Sequence, residues 1–272
     1  MSRPYISTRA DGPEHTIWFE TRPRHLAGGG DPRHITQALR AAGWKNHSDP
    51  DFPHVVLASP DLRHTLVMEP ESSSYKPPWW RIRAYGDHED WYTAFGGDTP
   101  VEILAGLTDA LIGPVPETAP DIWAPLTAAG WTYERDEHGT ESALHPDSIL
   151  TFRREARRGD LFWKAEAALP TGGGGRETIW GAYFNGRVPP HLIAAFTQAL
   201  ARDEPVQRRH WDVPHSHLVT QERGPRGEQL IQAHEVRMEA ARTTARKTRR
   251  TALSAQKPPA ASTTPAVPAR SR

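Results

Sequence analysis

Two stretches of this chain alternate in the same way. In "WWRIRAY", Trp80, Ile82 and Ala84 alternate with Trp79, Arg81, Arg83 and Tyr85. Further on, Trp163, Ala165, Ala167 and Leu169 alternate with Phe162, Lys164 and Glu166. A period of two with one apolar and one polar side predicts antiparallel strands buried on a single face. The tryptophan falls on the same side both times, so that side is expected to be the core. Helical spacing brackets these strands. Ile35, Leu39 and Ala42 recur at i, i+4 and i+7 behind an Asp31-Pro32 start, and Gly43 is placed to end that helix. After Thr99-Pro100, a second stripe runs through Ile103, Leu104, Leu107 and Leu111, echoed by Leu192, Ile193, Phe196 and Leu200. Pro, Asp and Gly punctuate the runs between. The unit reads as helix, about four antiparallel strands, helix, with both helices on one side of the sheet, an α+β arrangement.

This unit occurs twice. "ALRAAGWKNH" (38–47) returns as "PLTAAGWTYE" (125–134), and "ASPDLRHTLV" (58–67) as "LHPDSILTFR" (144–153). "WYTAF" (91–95) matches "WGAYF" (180–184), and "LAGLTDAL" (104–111) matches "IAAFTQAL" (193–200). The matches keep their order while the offset drifts between 83 and 89, as it must when only loops change length. The expected layout is an N-terminal extension (1–22), a first copy (23–113), a second copy (114–206), a connecting segment (207–226), a basic helix (227–251) and a disordered tail (252–272) rich in Pro, Ser, Thr and Ala. Trp44, Trp80, Trp91, Trp131, Trp163 and Trp180 recur at matching positions and are expected in the core.

Charge divides the chain. From residue 223 onward there are 11 basic and 3 acidic residues, which leaves 22 and 30 of the 33 of each for the body. A basic tail follows an acidic body. Cysteine is absent, which excludes disulfides, thiolate metal sites and a cysteine nucleophile. The first 15 residues lack the apolar core of a signal peptide, and no run approaches 18 apolar residues. The expectation is a cytoplasmic protein with no membrane contact.

Paired copies carrying "AGW", "SPD" and a late "TP…L…AL" helix resemble the duplicated SPDY-type domain of actinobacterial proteins. The first copy keeps Ser59-Pro60-Asp61 with Leu62 next; the second has His145-Pro146-Asp147-Ser148. The resemblance implies architecture; it supplies no activity and no catalytic residues.

Candidate chemistry is sparse. Neither "LAGGGDPRH" (26–34) nor "TGGGGRE" (171–177) has the spacing of a phosphate-binding loop, and both read as turns. His210, Asp212, His215 and His217 lie within eight residues, a weak candidate for a divalent metal because Pro214 interrupts them. No G-x-S-x-G elbow occurs, and Ser148 is too close in sequence to His145 and Asp147 to form a triad with them easily. No cofactor is expected.

Two surfaces remain. Trp79, Arg81, Arg83, Phe162 and Lys164 lie out of phase with the core and are expected on an exposed sheet face, where tryptophan commonly anchors an interface. Arg242, Arg246, Arg249 and Arg250 recur at i, i+4, i+7 and i+8 with Lys247 beside them, a cationic helical face suited to phosphate backbones. The sequence points to a non-enzymatic binding protein whose partner is another protein. The alternatives are nucleic-acid binding through the basic helix, and an enzyme whose site lies in a polar cleft between the copies.

Overall fold

The computed structural model describes residues 16–70, 78–85, 90–157 and 159–255. The chain enters with a short strand, β1 (Phe19–Arg22), and the first copy follows as α1 (Arg33–Ala41), β2 (Lys45–Asn46), β3 (Val55–Ala58), β4 (His64–Met68), β5 (Trp80–Ala84), β6 (Trp91–Phe95) and α2 (Val101–Ile112). The second copy repeats this order: α3 (Ala124–Ala128), β7 (Thr132–Arg135), β8 (Glu141–Leu144), β9 (Leu150–Arg157), β10 (Asp160–Pro170), β11 (Arg176–Asn185) and α4 (Pro190–Leu200). Each copy is thus helix, antiparallel strands, helix. The strands number five, because a short one follows each "AGW" turn. Gly43 and Gly130 end the first helix of each copy at φ 99° and 84°, a conformation that a residue with a Cβ resists.

The two copies build one sheet of ten strands, in the order β2-β3-β4-β5-β6-β11-β10-β9-β8-β7. Equivalent strands pair in equivalent registers. Trp80 faces Phe95 in the first copy as Trp163 faces Phe184 in the second. At the seam between them, Phe95 pairs with Ala182, Ala94 with Tyr183 and Thr93 with Phe184. Ala94 and Tyr183 occupy equivalent positions of the repeat, so a local two-fold axis passes through that pair.

One face of the sheet carries the core. All six repeated tryptophans are buried there, Trp80 and Trp180 at 1% and 2% exposure. Phe95, Phe152, Phe184 and Phe196 fill the centre, with Phe184 and Phe196 ring centroids 4.9 Å apart. The described helices lie on this side, and α2 and α4 cross the seam against each other. Their approach is close because Gly106 has no side chain. A Cβ there would stand 2.5 Å from the Ala199 Cβ and 2.6 Å from the Ala195 carbonyl oxygen. Gly106→Val is therefore expected to lose about 1–3 kcal/mol or more from overpacking, read as a lower urea midpoint.

Two described features lie outside the repeat. The segment after α4 supplies β12 (Val206–Arg208) and β13 (Thr220–Arg223), which flank β1 in a separate three-stranded sheet. No strand is expected there from the sequence, since three or four residues are too few to display an alternation. The last helix, α5 (Gly227–Ala255), spans about 43 Å at 1.5 Å per residue. It does not stand free but lies along α1 and α2, burying Met238 and Ala245. Arg237 forms a two-pronged bridge to Asp109 on α2 at 2.9 Å for each bond, and the Thr248 hydroxyl donates to the Ile112 carbonyl. The helix runs four residues into the expected disordered tail (252–272), because Ala252, Leu253 and Ala255 are good helix formers, and the rest of that tail lies outside the described residues. No described helix is long and apolar enough to cross a membrane.

Candidate functional site

The face of the sheet opposite the helices carries the side chains that alternate with the core. Phe162, Tyr183 and Tyr92, from three neighbouring strands, stack across the seam with ring centroids 5.7 and 5.4 Å apart. Arg83, directly across from Tyr92, is exposed. The other cations here are paired with carboxylates: Arg81 with Glu69, Lys164 with Glu166 at 2.9 Å, and Arg153 with Glu155 and Glu166 at 3.6 Å each. Burial raises the Glu166 carboxyl, but bonds from Lys164 and Thr178 outweigh it and hold the group below the usual range. Tyr183 is pushed up to about 12 by burial and by its bond to the Tyr92 hydroxyl. Four of the five expected face residues are thus brought together. Trp79 differs: it packs against the core, because Gly97 lets its indole lie directly on the backbone, where a Cβ would meet the ring at 2.5 Å. It precedes β5, so the strand's alternation does not set its direction.

The expected basic face is present on α5. Arg242, Arg246, Lys247, Arg249 and Arg250 are all exposed, while His234, Arg237, Met238, Ala241 and Ala245 turn toward the body. Arg242 pairs with Glu239 at 3.0 Å. This face and the aromatic ladder lie on opposite sides of the molecule, with the sheet and its helices between.

Two grooves flank the crossing of α2 and α4, and repeat offsets of 87 and 89 make them equivalents. His34, Glu102 and Asp109 line one where Asp121, His191 and Gln198 line the other. The first encloses about 430 Å³ and adds Arg24, Arg202 and Arg237; the second, about 350 Å³, is walled by Pro114, Pro116, Pro120 and Pro125. Convergent charges in the first groove are mutually engaged. Glu102 is bound by both terminal nitrogens of Arg208, at 2.7 and 2.8 Å, as Asp109 is by Arg237. Burial would raise Glu102, but Arg208 brings it from 4.5 down to about 2. Burial and the Arg237 charge together lower His34 from 6.5 to about 4. Neither group is poised near neutrality for proton transfer, and paired structural networks shift pKa values just as catalytic sites do.

The Gly-rich loop before α1 serves this network. Arg208 Nε donates to the Ala27 carbonyl and Nη2 to the Gly28 carbonyl, while Gly30 lies against the guanidinium. The loop presents carbonyl oxygens to a cation, the opposite of a phosphate cradle.

The His210 group does not assemble. His210 contacts Gln221 at 2.8 Å, Asp212 is held by Arg209, and the His215 and His217 rings stand 6.2 Å apart. Short 3-10 turns on either side of Pro214 send these side chains apart. Among the described residues a different group gathers: His25, His145 and Asp147, with donor atoms all within 4.8 Å of one another. Sequence spacing joins His145 to Asp147 alone; His25 arrives from 120 residues upstream, and nothing local announces it.

The fold and these surfaces define a tandem α+β platform closed around an internal two-fold axis. The SPDY domain (DUF317), a domain of unknown function, matches this chain twice, at residues 58–117 and 145–206. No curated protein and no solved structure matches the chain.

Proposed function

We propose that this is a binding protein rather than a catalyst, and that its partner is another protein docking on the open face of the ten-stranded sheet. The observation that supports this is the Phe162–Tyr183–Tyr92 ladder across the two-fold seam, on a face that no described helix covers. Most of its cations are already neutralised by neighbouring carboxylates, so the face lacks the excess charge that attracts a phosphate backbone. A fitting partner offers apolar side chains to the ladder and a carboxylate to Arg83. Aromatic residues and arginine are the usual carriers of such contacts.

A second reading, nucleic-acid binding, rests on Arg246, Lys247, Arg249 and Arg250, exposed together on α5. One experiment separates the two. Nuclease-treated affinity purification of the full chain is compared with a face variant (Arg83→Glu, Tyr183→Ala) and a helix variant in which those four cations become Gln. The sheet-face reading expects a defined protein to co-elute with the wild type and the helix variant, and to be lost from the face variant. Co-elution abolished by nuclease, or unchanged in the face variant, overturns it. Salt-sensitive retention of duplex DNA, lost only in the helix variant, would establish the second reading.

A further inference from the structure

The hairpin turns that carry the repeated Pro-Asp differ in one respect. In the first copy, Ser59 Oγ donates to Asp61 Oδ1 at 2.6 Å, the Arg63 N–H also donates to that oxygen, and Leu62 sits at φ 61°. In the second, Asp147 Oδ1 accepts the Ile149 N–H at 2.9 Å and Ser148 sits at φ 62°. The turn therefore needs the aspartate and the left-handed residue, and a serine suffices at the first position. His145, standing where Ser59 does, brings a donor that the turn does not require.

His25 completes the group. Its carbonyl accepts the Trp180 Nε1–H at 2.7 Å, which fixes the short turn bearing it beside the second copy. Its side chain is 6% exposed, and its Nε2 stands 2.8 Å from Asp147 Oδ2 yet off the line of any hydrogen bond. His145 Nδ1 lies 2.8 Å from Asp147 Oδ1, a contact that a ring proton bridges in the metal-free chain and that a bound ion would take over. Water reaches the group through His145 and Asp147, which are 26% and 28% exposed.

We propose that His25 Nε2, His145 Nδ1 and the Asp147 carboxylate form a site for a divalent first-row transition ion, with Zn²⁺ the best fit. Two imidazoles and one carboxylate are borderline donors, unlike the all-oxygen shells of Mg²⁺ and Ca²⁺. Zn–N bonds of about 2.0–2.1 Å need tetrahedral donors about 3.3 Å apart; here each imidazole nitrogen stands 2.8 Å from an Asp147 oxygen and all three donors lie within 4.8 Å, which leaves the fourth position to water. The ion clips the turn after β1 to the β8–β9 hairpin, joining the N-terminal segment to the second copy. This site is independent of the sheet-face reading.

The test is a titration of the chelator-treated full chain with Zn²⁺ alone, followed by calorimetry and thermal unfolding. One equivalent is expected to bind and raise the unfolding midpoint. Affinity should fall at least about a hundredfold in His145→Ser, which copies the turn of the first copy, and in His25→Gln and Asp147→Asn. A metal-free midpoint of His145→Ser matching the wild type separates ligand loss from misfolding. His210→Ala with His215→Ala should bind as the wild type does. Absence of stoichiometric binding overturns the proposal, as does binding unchanged in His145→Ser or abolished by the His210 and His215 changes.

Discussion

Replacing Arg208 by leucine lowers the stability of the folded chain by about 3–5 kcal/mol, the cost of leaving a partly buried carboxylate without its counter-ion. Arg208 is 2% exposed and all of its bonds are internal, to Glu102 and to the carbonyls of Ala27, Gly28 and Gln207. Its loss strands Glu102 and releases the loop before α1 in one step. The double variant Arg208→Leu, Glu102→Leu recovers a large part of the loss, since no charge is then left unpaired. Urea denaturation of the four proteins gives the coupling directly. The pH dependence has a definite sign. Glu102 titrates in the folded wild type at about 2, below its ordinary 4.5. Its pairing is thus fully stabilising above about pH 4.5 and is lost as the pH falls toward 2, an effect of about 3 kcal/mol. In Arg208→Leu the sign reverses. The unpaired carboxyl has a raised pKa, and acidification through that value stabilises the variant. A variant whose stability runs parallel to the wild type across this range would show that the pair contributes nothing.

Trp180→Ala is expected to cost about 3–5 kcal/mol, the range for emptying a large core site. Trp180 is 2% exposed, on the strand next to the seam, and its indole N–H is the donor to the His25 carbonyl. Trp180→Phe separates the two roles. It keeps most of the apolar volume and leaves the carbonyl without its donor, for about 1–3 kcal/mol. Its counterpart Trp91 makes the matching comparison from the first copy. Equal losses at the two positions would mean that the His25 bond is worth little, and a larger loss at Trp180 that it matters. Denaturant midpoints on the single variants decide between them.

The repeat and the inward direction of its tryptophans were legible in the sequence because a strand's period of two is a local property. Trp80 and Trp163 announce their face through the three or four residues on either side. The open face was legible for the same reason in Arg81, Arg83, Phe162 and Lys164. Trp79 was not, since its placement depends on Gly97 in another turn. The docking of α5 was hidden by the mixed chemistry of its inner stripe. His234, Arg237, Met238, Ala241 and Ala245 do not look like a buried face until Asp109 and Gln37 are seen to receive the polar ones. The His25 group is purely tertiary, a meeting of segments 120 residues apart. So is the pair of grooves, whose equivalence appears only once the two-fold axis is known.

That axis has a consequence for either half alone. The β6–β11 pairing is isologous, with the same strand of each unit presenting the same register to the other. A polypeptide holding a single unit would carry an unsatisfied edge and a naked helix flank, each the complement of its own twin. Two such molecules would close on one another as the two halves do here. The protein is in this sense a homodimer whose subunits share one backbone. Because the halves are joined in one chain, its matching sides need not be identical: one groove is ionic and the other proline-walled.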